Sequence, residues 1–120
     1  MSKLRVLIVE DDVLSAMELE QALAEAFAVE FTTRNSVRGT EAVLDQNFDF
    51  AFLDIEVTDG RTFDIARKLD RRFIPFAFVS ALQRHMVPVE LQSAPFIPKP
   101  YTRTEITELL RNSLANDNGD

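Results

Sequence analysis

Cysteine is absent from this chain of 120 residues, and histidine occurs once. The first absence excludes disulfides and thiolate metal sites, and the second excludes a zinc centre built on clustered histidines. Cationic surface is scarce too. A formal net charge of −7 and a pI near 4.7 argue against nucleic acid or an anionic membrane as a direct partner, because both require a basic face. No apolar run is long enough to span a bilayer, and the N-terminus from Met1 to Arg5 leads into an apolar stretch too short for a secretory signal. There is no internal repeat, linker or low-complexity segment. The expectation is a single cytoplasmic domain, large enough to bury a core without covalent staples.

What is present is an alternation of apolar runs with amphipathic ones. Leu4 to Val9 is aliphatic apart from Arg5 and stops at Glu10-Asp11-Asp12, which reads as a buried strand ending in acid. Ala16, Leu19, Leu23 and Phe27 then recur at helical spacing, with Asp12 placed as the N-terminal cap. Val29 to Thr33 alternates and is rich in β-branched residues, predicting a second, more exposed strand. Ser36 is set to cap a helix reaching about Gln46, and Phe50-Ala51-Phe52-Leu53 forms the next buried strand, delivering Asp54 to its end. After a loop ending at Gly60, Phe63, Ile65, Ala66 and Leu69 mark a third helix, and the run from Ile74 to Val79 a fourth strand ending at Ser80-Ala81.

From Leu82 to Ser93 the helical pattern is poor because Pro88 interrupts it, so a shortened or irregular fourth helix is predicted there, with His85 solvated. Pro95-Phe96-Ile97-Pro98 is a brief edge strand, and Thr102 with Glu105 fits a capping box for a last helix whose face holds Ile106, Leu109, Leu110 and Leu114. The domain is expected over residues 1–116, with 117–120 a disordered tail. Strands alternating with helical segments predict an α/β fold: a doubly wound five-stranded parallel sheet, flavodoxin-like, in the order 2-1-3-4-5.

In such a sheet Glu10, Asp11, Asp54, Ser80 and Lys99 all fall at the carboxyl ends of strands, where ligands gather. Crowded carboxylates repel unless a cation joins them, and hard oxygen donors favour Mg²⁺. A carboxylate beside Mg²⁺ and opposite a lysine suits attack on phosphorus, and a hydroxyl such as that of Ser80 can donate to a third phosphoryl oxygen. The chemistry implied is acyl phosphate formation on Asp54.

Taken in order, Val9-Glu10-Asp11-Asp12, Phe52-Leu53-Asp54, Ser80-Ala81 and Lys99-Pro100-Tyr101 resemble the signatures of the receiver domain of two-component response regulators (CheY-like). The resemblance covers nearly the whole chain. It implies that a sensor histidine kinase or histidine phosphotransferase phosphorylates Asp54. It further implies that Glu10, Asp11, Asp54 and the backbone carbonyl of Glu56 hold Mg²⁺, that Lys99 contacts the phosphoryl group, and that Ser80 and Phe96 form a switch pair. Pro75 to Leu82 is similar to the signature of the so-called FATGUY single-domain receivers of alphaproteobacteria, which implies HWE-type or related kinases as partners. Typical receivers carry methionine-proline after the acceptor and a glycine about eight residues beyond it. Here Gly60 stands six beyond Asp54 and no proline intervenes.

Glu56 is expected to face the mouth of the site and, with Ala81 and Leu82, to tune phosphoryl lifetime. With no recognised output domain, the expected role is a stand-alone switch that binds an unidentified downstream protein or passes phosphate onward. Two other readings compete: a receiver-like adaptor that is never phosphorylated, and a Mg²⁺-dependent phosphohydrolase of the haloacid dehalogenase type. The second enzyme generally has another Asp two residues beyond the nucleophile, which Glu56 matches poorly.

Overall fold

The aliphatic and aromatic runs become strands buried on both faces. In the computed structural model, which describes residues 3–119 without the side chains of 117–119, β1 (Leu4–Val9), β2 (Val29–Arg34), β3 (Phe50–Leu53), β6 (Phe76–Ser80) and β7 (Phe96–Pro98) make one parallel sheet in the order β2-β1-β3-β6-β7. That is the predicted doubly wound order once a small antiparallel hairpin, β4 (Glu56–Val57) with β5 (Gly60–Arg61), is set apart. Side chains alternate across each strand and so feed two cores. Leu7, Val9, Ala51, Leu53, Phe76 and Phe78 point to one face, and Val6, Ile8, Phe50, Phe52, Ala77 and Val79 to the other.

The helices cover those faces by their apolar stripes. α1 (Val13–Ala26) and α4 (Arg103–Gly119) pack against each other and contribute Leu19, Leu23, Ile106 and Leu110 to one core. α3 (Phe63–Arg71) contributes Ile65, Ala66 and Leu69 to the other. Capping follows the sequence: Asp12 accepts from the Leu14 N–H at 3.1 Å, and Ser36 Oγ accepts from the Gly39 N–H at 2.9 Å. Thr102 and Glu105 form the reciprocal box, with the Thr102 N–H donating to Glu105 Oε1 at 2.8 Å and the Glu105 N–H to Thr102 Oγ1 at 3.2 Å.

Two segments differ from expectation. α2 spans only Val37–Glu41 rather than reaching Gln46. Beyond Glu41 the chain continues in tight turns, with the Val43 N–H donating to the Thr40 carbonyl at 3.0 Å and the Gln46 N–H to the Val43 carbonyl at 3.1 Å; the Arg72 guanidinium donates to the carbonyls of Leu44 and Gln46, and Val43, Leu44 and Phe48 turn into the core. The hairpin β4–β5 replaces the loop expected after Asp54. Gly60 closes it at φ +143°, a conformation that favours glycine. The fourth helix is irregular, as expected: two single 3₁₀ turns, Arg84–Met86 and Val89–Leu91, stand in its place and leave four α-helices among the described residues. Pro88 interrupts the pattern, and side chains take over the bonding: the Gln92 amide donates to the Val87 carbonyl at 2.8 Å and Arg84 to the Gln92 carbonyl at 3.0 Å. The last turn of α4 reaches Gly119, inside the segment expected to fray, and Asp120 lies outside the described residues.

Candidate functional site

Parallel register brings the strand ends to one edge. Val9 lies opposite Leu53, Leu53 opposite Phe78, and Ser80 opposite Pro98. The residues that follow are therefore neighbours: the Asp54 N–H donates to the Val9 carbonyl at 2.9 Å and the Lys99 N–H to the Ser80 carbonyl at 2.9 Å. Carboxylate oxygens of Glu10, Asp11 and Asp54 lie within 4.8 Å of one another.

Lys99 enters this cluster from the far side of the sheet edge. Its Nζ donates to Glu10 Oε1 at 2.5 Å and to Asp54 Oδ2 at 3.1 Å. Asp54 Oδ1 accepts the Ile55 N–H at 2.7 Å, and Glu10 Oε2 accepts the Asp12 N–H at 3.0 Å. Burial alone pushes the Lys99 ammonium down, but the Glu10 hydrogen bond and the charges of Asp54 and Glu10 together hold its pKa above the ordinary value. Burial, aided by the Asp54 charge, raises Glu10 despite the bonds from Lys99 and the Asp12 N–H. One ammonium thus does not satisfy three carboxylates, and a set of hard oxygen donors short of positive charge fits a divalent cation such as Mg²⁺.

The remaining predicted residues are distributed around this centre. Ser80 is buried, its Oγ accepting the Leu82 N–H at 3.1 Å, which leaves the hydroxyl proton free to donate. Phe96 is half-buried and packs on the core opposite Phe78, two register positions below Ser80. Ala81, Lys99 and Tyr101 line a groove of about 600 Å³ together with Ser15 and Glu18, while Leu82 packs on the core. The Glu56 carboxylate is exposed and lies across the hairpin from Arg61 at 3.6 Å, where their direct pairing in β4–β5 puts it.

Two features escaped sequence reasoning. Val13, Leu14 and Met17, at the start of α1 just after the acidic pair, are 69%, 70% and 58% exposed. Their signal was available, since they stand off the stripe of Ala16, Leu19 and Leu23 that α1 buries. Thr62, one residue before α3, is fully buried with its hydroxyl donating to the Asp54 carbonyl at 2.6 Å.

A five-stranded doubly wound sheet with acids, a hydroxyl and a lysine on its carboxyl edge is a flavodoxin-like fold with its candidate site at the strand ends, and comparison with known proteins narrows it. No family model matches the chain. The solved receiver domain of HemR from Leptospira biflexa is 27% identical over 94% of this chain and 95% of its own, with a TM-score of 0.80. SdrG from Sphingomonas melonis is 31% identical over 95% of this chain and 99% of its own, with a TM-score of 0.78. The chain belongs to the response regulator receiver (CheY-like) domains. Among curated proteins, the sensory transduction protein LytT of Bacillus subtilis is 29% identical over 90% of this chain. The chain spans about half the length of the curated relatives it matches. A further neighbour in fold, the response regulator TrrA of Thermotoga maritima, was solved with Mg²⁺ and BeF at 18% identity, a TM-score of 0.78 and coverage of 92% of this chain and 98% of its own.

Proposed function

We propose that this receiver domain is a Mg²⁺-dependent phosphoacceptor, modified on Asp54 by a sensor histidine kinase or histidine phosphotransferase. The observation that carries the reading is the Lys99 ammonium shared between Glu10 and Asp54 inside a cluster of three carboxylates. An Asp54 carboxylate oxygen attacks the phosphorus of a phosphohistidine, an O–P bond forms, the P–N bond breaks, and the imidazole nitrogen keeps the electron pair and takes up a proton. Lys99 neutralises charge on the phosphoryl oxygens, and the free Ser80 proton donates to another. Glu10, Asp11, Asp54 and the Glu56 carbonyl would hold Mg²⁺, which supplies further neutralisation of the transferring group.

The exposed Val13, Leu14 and Met17 continue from the acidic pair, Val13 and Met17 sharing a groove with Glu10 and Asp11, and suit contact with the phosphodonor protein. Once formed, the phosphoryl group brings about −1.5 to −2 charges and new acceptors. Ser80 then leaves the Leu82 N–H for the phosphoryl oxygen, Phe96 turns inward, and the 81–95 segment is biased toward a second arrangement that a downstream protein reads. Glu56, Ala81 and Leu82 set how long the modification lasts. The segment 75–82 supports placement among the FATGUY-type single-domain regulators with HWE-type kinases as donors, acting in the cytoplasm.

Incubation with acetyl phosphate and Mg²⁺, followed by intact mass measurement, tests the reading. The expected result is one added phosphoryl group in the wild type and none in Asp54→Ala. No gain in the wild type favours the adaptor.

A further inference from the structure

Thr62 belongs neither to the acidic cluster nor to the groups proposed to touch the phosphoryl group, yet it binds the acceptor residue by its backbone. Its Oγ1–H donates to the Asp54 carbonyl at 2.6 Å and its own N–H to the Ile55 carbonyl at 2.9 Å. One residue therefore holds two consecutive carbonyls. The peptide unit that joins Asp54 to Ile55 also carries the N–H accepted by Asp54 Oδ1 at 2.7 Å, while Oδ2 faces Lys99. Hydroxyl, peptide plane, carboxylate and ammonium form one connected series of hydrogen bonds.

The chemistry of a threonine at this place makes the arrangement informative. Thr62 stands at the N-cap position of α3, where such a side chain ordinarily accepts from the helix N–H groups, but it makes no cap hydrogen bond. Its hydroxyl is committed to Asp54 instead, and the side chain is fully buried. The far end of the same connection is fastened as well, with the Asp59 carboxylate accepting from the N–H groups of Val37 and Arg38 at 2.6 and 3.0 Å. The hairpin is thus a strut between α2 and the acceptor.

The geometry points to Thr62 as a positioning residue: its hydroxyl fixes the peptide plane that follows Asp54 and thereby holds the acceptor carboxylate toward Lys99 and the metal-binding acids. This inference rests on the phosphoacceptor reading of Asp54 and adds a determinant that touches neither phosphate nor metal.

Thr62→Val exchanges the hydroxyl for a methyl of similar size, and Thr62→Ser keeps the donor. The expected result, with each variant's thermal midpoint recorded by circular dichroism, is that folded Thr62→Val takes phosphate from acetyl phosphate about ten- to a hundredfold more slowly, as misplacement of a reacting group entails. Its affinity for Mg²⁺ alone, read by titration calorimetry, falls in parallel, whereas Thr62→Ser restores both. A folded valine variant that equals the wild type in both readouts, or a serine variant as impaired as valine, overturns the inference. Failure of the wild type to gain phosphate overturns the phosphoacceptor reading by itself, and the calorimetric comparison still decides the role of Thr62. If the valine variant does not fold, Thr62→Ala carries the same expectation and the same overturning result.

Discussion

Two connections leave the sheet beside Asp54, and hydrogen bonds to other elements hold one more firmly than the other. The one after β3 buries Ile55 and Val57 and is also tied by directional hydrogen bonds, donated by Thr62 and accepted by Asp59, and its two short strands pair with each other. The one after β6, residues 81–95, has little regular structure and is kept in place mainly by burying Val87 and Leu91. An exposed pair, Arg67 with Glu90 at 2.8 Å, adds a tether to α3. Hydrogen bonds fix positions within narrow limits of distance and angle, whereas burial is non-directional and tolerates sliding. The stiff connection adjoins the group that must be aimed at phosphorus, and the looser one adjoins Ser80, where a rearrangement on phosphorylation would start.

The largest effect should come from the group both connections surround. Lys99→Ala is expected to slow phosphorylation of Asp54 by about a hundredfold or more, since it removes a charge aimed at the transferring group. An intact-mass time course with acetyl phosphate and Mg²⁺ reads this, and an undiminished rate would break the picture of a shared edge.

Next in size, Leu91→Ala should cost about 2–5 kcal/mol in urea denaturation, as truncation of a buried leucine does elsewhere. Leu91 is 3% exposed although it sits in a single 3₁₀ turn. Val89→Ala, two residues away and 80% exposed, should stay within about 0.5 kcal/mol. Equal costs would mean that burial is not what holds this connection.

Glu56→Asn sharpens the contrast on the stiff side. It removes the carboxylate facing Arg61 while leaving the hairpin backbone intact. A several-fold change in the decay of phosphorylated protein is expected, and identical decay curves would remove Glu56 from the lifetime determinants.

The smallest effect is a pH dependence. The N–H groups of Val37 and then Arg38 hold the Asp59 carboxyl below the ordinary carboxylate range. A carboxyl lowered in the folded state contributes stability that is fully present above its unfolded pKa and is lost as pH falls through the folded one. The difference in thermal midpoint between wild type and Asp59→Asn should therefore be constant from neutral pH down to the ordinary carboxylate range and shrink below it. A difference that grows on acidification would contradict the assigned bonds.

Much of this molecule could be read before it was seen, for local reasons. Asp12, Ser36 and the Thr102 and Glu105 pair cap helices through neighbours two or three residues away, so their roles are written in short stretches of chain. The apolar runs of β1, β3 and β6 name themselves as strands covered on two faces. The acids, serine and lysine each end such a run, which is why the edge they share was legible from strand order alone.

What escaped was decided by partners that no helix or strand period links. The chain beyond α2 is anchored by Arg72, 26 to 28 residues from the carbonyls it takes, and the hairpin rests on pairs of two-residue strands too brief to show a period. Thr62 stands one residue before α3, and its role shows only once the chain folds back and offers its hydroxyl the Asp54 carbonyl. Periodicity and capping are properties of neighbouring residues and belong to the sequence itself. The aim of the Asp54 carboxylate depends on bonds between distant residues, and those exist only once the tertiary structure has formed.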